Sequence, residues 1–305
     1  MTSAINTSTI RFPAMLGFAA LLICSGCGDQ APQVDAKAEL AAGVELSLRY
    51  SFDAAESRFA KARAASAPSS EGWLQATLGL AVALHHRVPL SAERIVGQAA
   101  PLYEEVVNKG GQSLLAARAA INRGRIAEQR DDSSDQIDAV TAIRWYQLVI
   151  DGWPDLPIAG EATLRLAACR IQCLDPAEVT AGIRLAETRA EAYPSELWAA
   201  SLWHLAGEAW WVQLRNHKES LRCLLRAEAA GLPDRSNAWS TAWRIAALAE
   251  LDGRRQVAID HYLRVVTDFT SSGKSFEAQQ RLIALGVAPP AIRPPLNLSD
   301  EGSAP

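Results

Sequence analysis

Between residue 36 and about residue 285 the apolar positions recur every three or four residues and never alternate. They fall into amphipathic stretches of roughly 12–20 residues, parted by proline, glycine or the Asp-Asp-Ser-Ser run at 131–134. This periodicity predicts an all-α chain without strands. The clearest stretch is 197–233. Trp203, Ala206, Gly207 and Trp210 share one face of a helix there. Leu224, Ala227 and Pro233 then read as a second helix that folds back on the first and ends at the proline. Outside the helical region the pattern changes twice. Residues 14–23 form one apolar run, and residues 286–305 hold five of the fifteen prolines, the composition of a disordered or extended tail.

The helical pattern repeats. Gly43, Leu46, Ala55, Phe59, Ala62 and Pro68 make a first unit, and Leu78, Gly79, Val82, Ala99, Tyr103 and Val106 a longer second one. Gly124, Ala127, Ala142, Tyr146, Val149 and Pro154 make a third, also lengthened; Leu166, Ala167, Ala181, Leu185 and Pro194 make a fourth. The stretch at 197–233 is fifth, Ala246, Ala249, Ala258, Tyr262 and Val265 make a sixth, and a last helix near 276–285 closes the end. Recurrence at this period is the mark of a helical solenoid. On these residues the region 36–285 resembles the tetratricopeptide repeat family, whose unit pairs a first helix carrying small residues with a second carrying alanine, an aromatic and alanine. The resemblance implies an α-solenoid of about six helix-turn-helix repeats. The proline turns in AEAYPSELWAASLWHLAGEAWW and LVIDGWPDLPIAGEATLRLAA are similar to those of exported tetratricopeptide lipoproteins. A different solenoid or an irregular helical bundle is the rival reading of the pattern.

The run at 14–23 is too short to span a bilayer and has the length of a signal-peptide core. It closes on Ile-Cys-Ser-Gly-Cys, where Ser25 and Gly26 before Cys27 resemble the bacterial lipoprotein box, with Cys24 in place of the usual leucine. That resemblance implies a signal peptide over 1–26, lipidation of Cys27, a tether over 27–35, and attachment to the periplasmic side of the envelope. Gly28 follows the lipidated cysteine where aspartate can mark inner-membrane retention, which points to the outer membrane rather than the inner.

Charge narrows the partners. Residues 1–26 carry one of the 30 basic residues, Arg11, so the mature chain has 29 against 34 acidic ones. A nucleic-acid surface needs a basic stripe, and none is present. Catalytic signatures fail one by one. Gly273-Lys274-Ser275 imitates the end of a phosphate-binding loop, but Asp268 stands where the leading glycine belongs. His85 and His86 are adjacent and diverge on a helix, and His204, His217 and His261 lack a metal-binding partner, so all five read as surface or cap histidines. Glu104-Glu105 and Asp131-Asp132 read as solvated. Cys169 and Cys173 share a helix face where a mutual disulfide would strain the helix; packed thiols or a bond from one of them to Cys223 both remain open. No catalytic residue, metal site or cofactor is expected.

The family resemblance places the first helix of each unit along a concave groove. Carried over position by position, it implies groove residues Arg118, Arg125 and Glu128 in the third unit. It implies His204, Glu208 and Trp211 in the fifth, and Trp243 and Glu250 in the sixth. Trp203 and Trp210 match packing positions. Trp211 and Trp243 are either exposed anchors for a protein or peptide partner or packing between oversized helices. The expected function is a lipid-anchored, non-catalytic protein that binds another protein as scaffold or assembly factor. A helical scaffold linked to peptidoglycan processing is the alternative, and a solute-binding groove is disfavoured because such a trough is open.

Overall fold

Several helices begin where a short polar side chain takes up the first unpaired amides. Asp35 accepts from the amides of Lys37 and Ala38, and Ser70 from that of Trp73. Asp138 accepts from Thr141, Asp175 from Ala177 and Glu178, and Asn216 from Glu219. The protein is represented by a computed structural model that describes residues 34–128, 138–231 and 238–290. In chain order the helices are α1 Ala36–Leu48, α2 Phe52–Ala65, α3 Glu71–His86, α4 Ala92–Arg94, α5 Ala100–Gly110, α6 Leu114–Glu128 and α7 Ala139–Gly152. They continue as α8 Pro157–Gln172, α9 Pro176–Ala192, α10 Ala199–Val212, α11 His217–Ala229, α12 Ala238–Leu251, α13 Arg255–Asp268 and α14 Ser275–Ala284. A π-helical turn, Ile95–Ala99, joins α4 to α5. Among the described residues there is no strand.

The helices form six antiparallel pairs, α1/α2, α3/α5, α6/α7, α8/α9, α10/α11 and α12/α13, with α14 packed on α13 as the closing helix. In three of the pairs a glycine on the first helix admits a large side chain from the second. A Cβ added at Gly43, Gly124 or Gly207 would lie 2.7, 2.5 and 2.8 Å from Phe59, Tyr146 and Leu224. Ala55/Phe59/Ala62, Ala99/Tyr103/Val106, Ala142/Tyr146/Val149 and Ala258/Tyr262/Val265 are all buried. Each buried ring removes a large apolar area from water, contributing about 2–3 kcal/mol. Between units an aromatic residue caps the second helix: Trp153 after α7, Tyr193 after α9 and Phe269 after α13, with φ of −138°, −130° and −127°. Each cap's carbonyl accepts from the amide three residues on, at Leu156, Glu196 and Ser272, so one turn is built three times. Successive first helices touch, α1 with α3, α3 with α6, α6 with α8 and α8 with α10, and successive second helices meet mainly through them. The first helices of the first five units thus make one inner layer, and the Glu208–Arg244 pair joins α12 to α10.

Several expectations need correcting. In the second unit the small residue that serves the pair is Ala81, not Gly79. Ala81 precedes Tyr103 by the same 22 residues that separate Gly124 from Tyr146, and Gly79 instead approaches Phe59 of the preceding unit. In the fourth unit α9 buries Val179, Ile183 and Ala186, two residues away from Ala181 and Leu185, because Gly182 lets α9 settle against the Ala167 carbonyl. Trp203 is buried, but Trp210 is only half-buried and donates its indole N–H to Glu187 at 3.1 Å. His85 and His261 are buried rather than superficial. His85 lies 3.3 Å from the Tyr103 hydroxyl and stacks on His86, and His261 is held between Glu228 and the Val257 carbonyl. Glu104 and Glu105 are not simply solvated, since they pair with Arg123 and with Arg63 and Lys109. Cys169, Cys173 and Cys223 are free thiols, and Cys173 is exposed rather than packed. The signal peptide, Cys27, the 131–134 run, Pro233 and the tail beyond 290 lie outside the described residues.

Candidate functional site

The inner layer carries a ladder of opposite charges that crosses from one unit to the next. Arg125 on α6 pairs with Glu161 on α8, and Glu161 also accepts from Arg165 Nε at 2.9 Å. Arg165 returns to α6, donating to Glu128 at 2.8 Å, and the Cys169 thiol donates to the same carboxylate at 3.4 Å. Further along, Glu208 on α10 pairs with Arg244 on α12, and His204 Nε2 lies 3.2 Å from the Thr241 hydroxyl. Glu250 accepts from the Tyr262 hydroxyl at 2.8 Å and faces Arg281 of α14 at 3.5 Å. The outer layer has its own cross-unit pairs, Glu187 with Arg222, Glu191 with Arg226, and Glu228 with Arg264 and His261.

These pairings set the protonation states of the groove. Burial disfavours the ionised Glu161 carboxylate, but Arg125 and Arg165 outweigh it and hold the group below the usual range. Burial, reinforced by Glu128, pushes the Cys169 thiol up to about 12. Burial, aided by the Arg244 charge, lowers His204 and favours its neutral ring. The Tyr146 phenol is raised by burial and then by Glu128. The Glu161 carboxylate is therefore an anion already paired with two guanidinium groups, and the Cys169 thiol is a poor nucleophile.

Along α8 the inner layer opens into a cleft of about 680 Å³, lined by the charged Glu128, Glu161 and Arg165, the apolar Leu164, Ala168 and Trp198, and by Gln172 and the thiols of Cys169 and Cys173. Of the expected groove residues, Arg125, Glu128, Glu208 and Glu250 stand in the ladder and His204 beside it. Arg118 is exposed and makes no ion pair among the described residues. Trp211 and Trp243 are half-buried: the Trp211 ring lies 4.8 Å from that of His217, and Trp243 lies 5.3 Å from Tyr262 with the Lys274 ammonium 4.9 Å from its centre. Both pack against the core of the last two units, so part of each ring is committed to internal packing. Sequence reasoning missed Glu161, Arg165, Arg244, Leu164 and Trp198. A usable signal was there, because Arg125 and Glu161, Glu208 and Arg244, and Glu228 and Arg264 are all separated by 36 residues, close to one repeat.

No family model matches the chain, and no curated protein matches it by sequence. Solved structures do match. The structure from the functional characterization of Pseudomonas aeruginosa pilF is similar over 81% of this chain and 97% of its own, at 16% identity and a TM-score of 0.54. The tetratricopeptide domain of P58(IPK) aligns with 83% of this chain and 66% of its own, at 17% identity and a TM-score of 0.35. The TPR2AB domain of yeast Sti1, in complex with pHSP90, aligns with 82% and 98%, at 15% identity and a TM-score of 0.32. The likeness to the pilF structure, together with the six helix pairs, shows the fold: a tetratricopeptide-type α-solenoid.

Proposed function

We propose that this chain is a lipid-anchored protein of the bacterial cell envelope, held on the periplasmic face through Cys27. Its solenoid grips another protein along the inner layer, as scaffold or assembly factor, and performs no catalysis. The observation that carries this reading is the cleft along α8, an apolar floor of Leu164, Ala168 and Trp198 inside a rim of mutually paired charges. Such a site suits a partner's apolar side chain. Burial of that side chain supplies affinity, and the border, whose acids are already paired with Arg125 and Arg165, excludes water without demanding a new counter-charge. The Glu161 carboxylate, held by two guanidinium groups, and the Cys169 thiol, kept protonated, are poorly disposed to acid–base or nucleophilic work. The anchor rests on the lipoprotein-like box ending at Cys27, and placement in the outer membrane on Gly28. Two acyl signals together give stable attachment where one does not.

The test is photo-crosslinking in intact cells from a reactive residue placed at Leu164 or Ala168, with Arg144 on the outer layer as control. Defined adducts from the first two positions and none from the third support the reading, and Trp198→Ala should weaken them. Equal labelling from both layers refutes it. For the anchor, labelled palmitate should enter the wild type and not Cys27→Ala; incorporation into both would rule out Cys27.

A further inference from the structure

Turns between helices are ordinarily made of small and polar residues, and two of them here are not. The end of α1 and its turn read Leu48-Arg49-Tyr50, and the loop from α3 to α4 holds Val88-Pro89-Leu90. Leu48 is 77% exposed, Tyr50 83%, Val88 77% and Leu90 63%. The two turns stand side by side, since Tyr50, Phe52 and Val88 line one open hollow of about 320 Å³. Single apolar residues scattered over a surface are ordinary; four gathered at two adjoining turns mark a contact surface.

Both turns are built to hold their shape. The amides of Tyr50 and Ser51 donate back to the carbonyls of Ser47 and Leu46 at 3.0 and 2.9 Å. Tyr50 takes a φ of 58°, a left-handed conformation that is costly for any residue with a Cβ. Arg94 braces the other loop, its guanidinium donating to the carbonyls of Leu84 at 3.1 Å, Arg87 at 2.6 Å and Pro89. The neighbouring charges are paired, Arg49 with Glu45, and Arg87 with Asp53 and Glu56. Glu93, at the start of α4, is exposed and has no ion pair among the described residues. The patch is therefore rigid and apolar, and no excess of cations draws it to an anionic surface.

We propose that this patch sinks into the lipid bilayer that holds the chain, and so fixes how the first two units stand on the membrane. The proposal rests on the reading that Cys27 is lipidated. Asp35, the cap of α1, lies eight residues beyond Cys27, a reach of up to about 27 Å. α1 has 13 residues and is about 20 Å long, with the patch at its far end. The tether is therefore long enough for the anchor and the patch to meet one bilayer together. With the anchor in place the patch is confined near the surface, where apolar contacts too weak to bind alone hold. The side chains suit that depth: leucine and valine enter the acyl boundary, and tyrosine sits among the headgroups with its hydroxyl toward water.

The first test uses the full chain in intact cells, with a photo-reactive residue at Tyr50, at Leu90 or, as control, at the exposed Phe276 of α14. Lipid adducts from the first two positions should exceed those from the third about tenfold. The second test uses the mature chain, residues 27–305, with Cys27→Ser and one myristoyl chain on its amino group. A single chain binds only marginally, so the share of the patch can be read. On vesicles of phosphatidylethanolamine and phosphatidylglycerol, Leu48→Ser, Tyr50→Ser, Val88→Ser and Leu90→Ser combined should lower partitioning about tenfold with circular dichroism unchanged. Replacing the phosphatidylglycerol with phosphatidylcholine should not weaken the wild type. Unchanged partitioning of the fourfold variant, equal lipid adducts from Phe276, or binding lost with the phosphatidylglycerol would overturn the proposal. So would adducts from Tyr50 to a protein or a second copy in place of lipid, because the patch would then be a protein interface. If the fourfold variant partitions like the wild type while palmitate enters only through Cys27, this inference fails and the anchor stands. A tenfold loss with palmitate entering Cys27→Ala keeps the inference and removes Cys27 as the anchor.

Discussion

Arg189 on α9 is buried, and it ties three pieces of the solenoid together. Its guanidinium donates to Glu196 at 3.1 and 2.5 Å and to the Pro154 carbonyl at 3.0 Å, and its carbon lies 3.7 Å from the centre of the Tyr193 ring. The pair therefore links α9, the turn into α10 and the turn ahead of α8. Side-chain exposure is 9% for Arg189 and 14% for Glu196, so little water screens the pair. Arg189→Met keeps most of the aliphatic volume but leaves the Glu196 carboxylate against Gly160 with no cation, where a Cβ would already come within 2.6 Å of it. Stripping one partner from a buried pair costs about 3–5 kcal/mol, and the residual exposure here places the expected loss near 3 kcal/mol. Glu196→Gln, which keeps a hydrogen-bonding group, should cost about 1–2 kcal/mol. The double variant should lose about 2 kcal/mol less than the sum of the two, the signature of direct coupling. Urea unfolding followed by circular dichroism measures all three. Because a solenoid can open unit by unit, hydrogen exchange should quicken first in α9 and α10 while α1–α3 keep their protection. A loss below about 1 kcal/mol with no coupling would refute the claim that this pair is desolvated and structural.

Three further outcomes follow from the same geometry. Burial opposes ionisation of Glu228, but bonds from His261 and Arg264 bring its carboxyl down to about 2 from an ordinary 4.5; the stability this gives is full above pH 4.5 and lost as pH falls toward 2, about 1–2 kcal/mol after allowing for partial exposure, and Glu228→Gln should flatten that limb of the pH–stability curve. Gly124→Ala places a methyl group 2.5 Å from the Tyr146 ring, so a gain of about 1 kcal/mol in helix propensity should be outweighed by overpacking of about 2 kcal/mol, with Tyr146→Leu restoring the loss; a more stable Gly124→Ala would show that α7 can yield. In native protein at pH 8, iodoacetamide should alkylate Cys173 first, because Cys169 and Cys223 are buried and their thiols are pushed up chiefly by that burial; mass spectrometry finding Cys223 labelled first would contradict the packing.

The fold was legible where a large residue and a small one had to meet. Gly43 with Phe59 and Gly124 with Tyr146 fix the register of their units because each ring fills the space that a glycine's missing Cβ leaves. The fourth unit has no aromatic on α9, and Val179, Ala181, Ile183, Leu185 and Ala186 offer two apolar stripes of nearly equal quality. What chose between them is the approach of Gly182 to the Ala167 backbone, a contact between helices that no single-helix pattern contains. The second unit failed for the opposite reason. It has a glycine, but Gly79 serves Phe59 of the first unit, and the plainer Ala81 serves Tyr103. Likewise, burial of His85 and His261 depends on Tyr103 and Glu228, which lie on other helices.

The site was legible only in part, because a groove position and a ladder position look alike on one helix. Arg118, Arg125 and Glu128 share a face of α6, and nothing within α6 tells them apart. The distinction comes from the neighbouring unit: α8 supplies Glu161 to Arg125 and Arg165 to Glu128, whereas Arg118 makes no ion pair among the described residues. Reading opposite charges at one-repeat spacing separates those spent within the fold from those left for a partner. By that rule the charges of the third to sixth units mostly hold adjacent units in register. What they leave unpaired is the apolar lining along α8 and, toward the start of α6, the exposed Arg118.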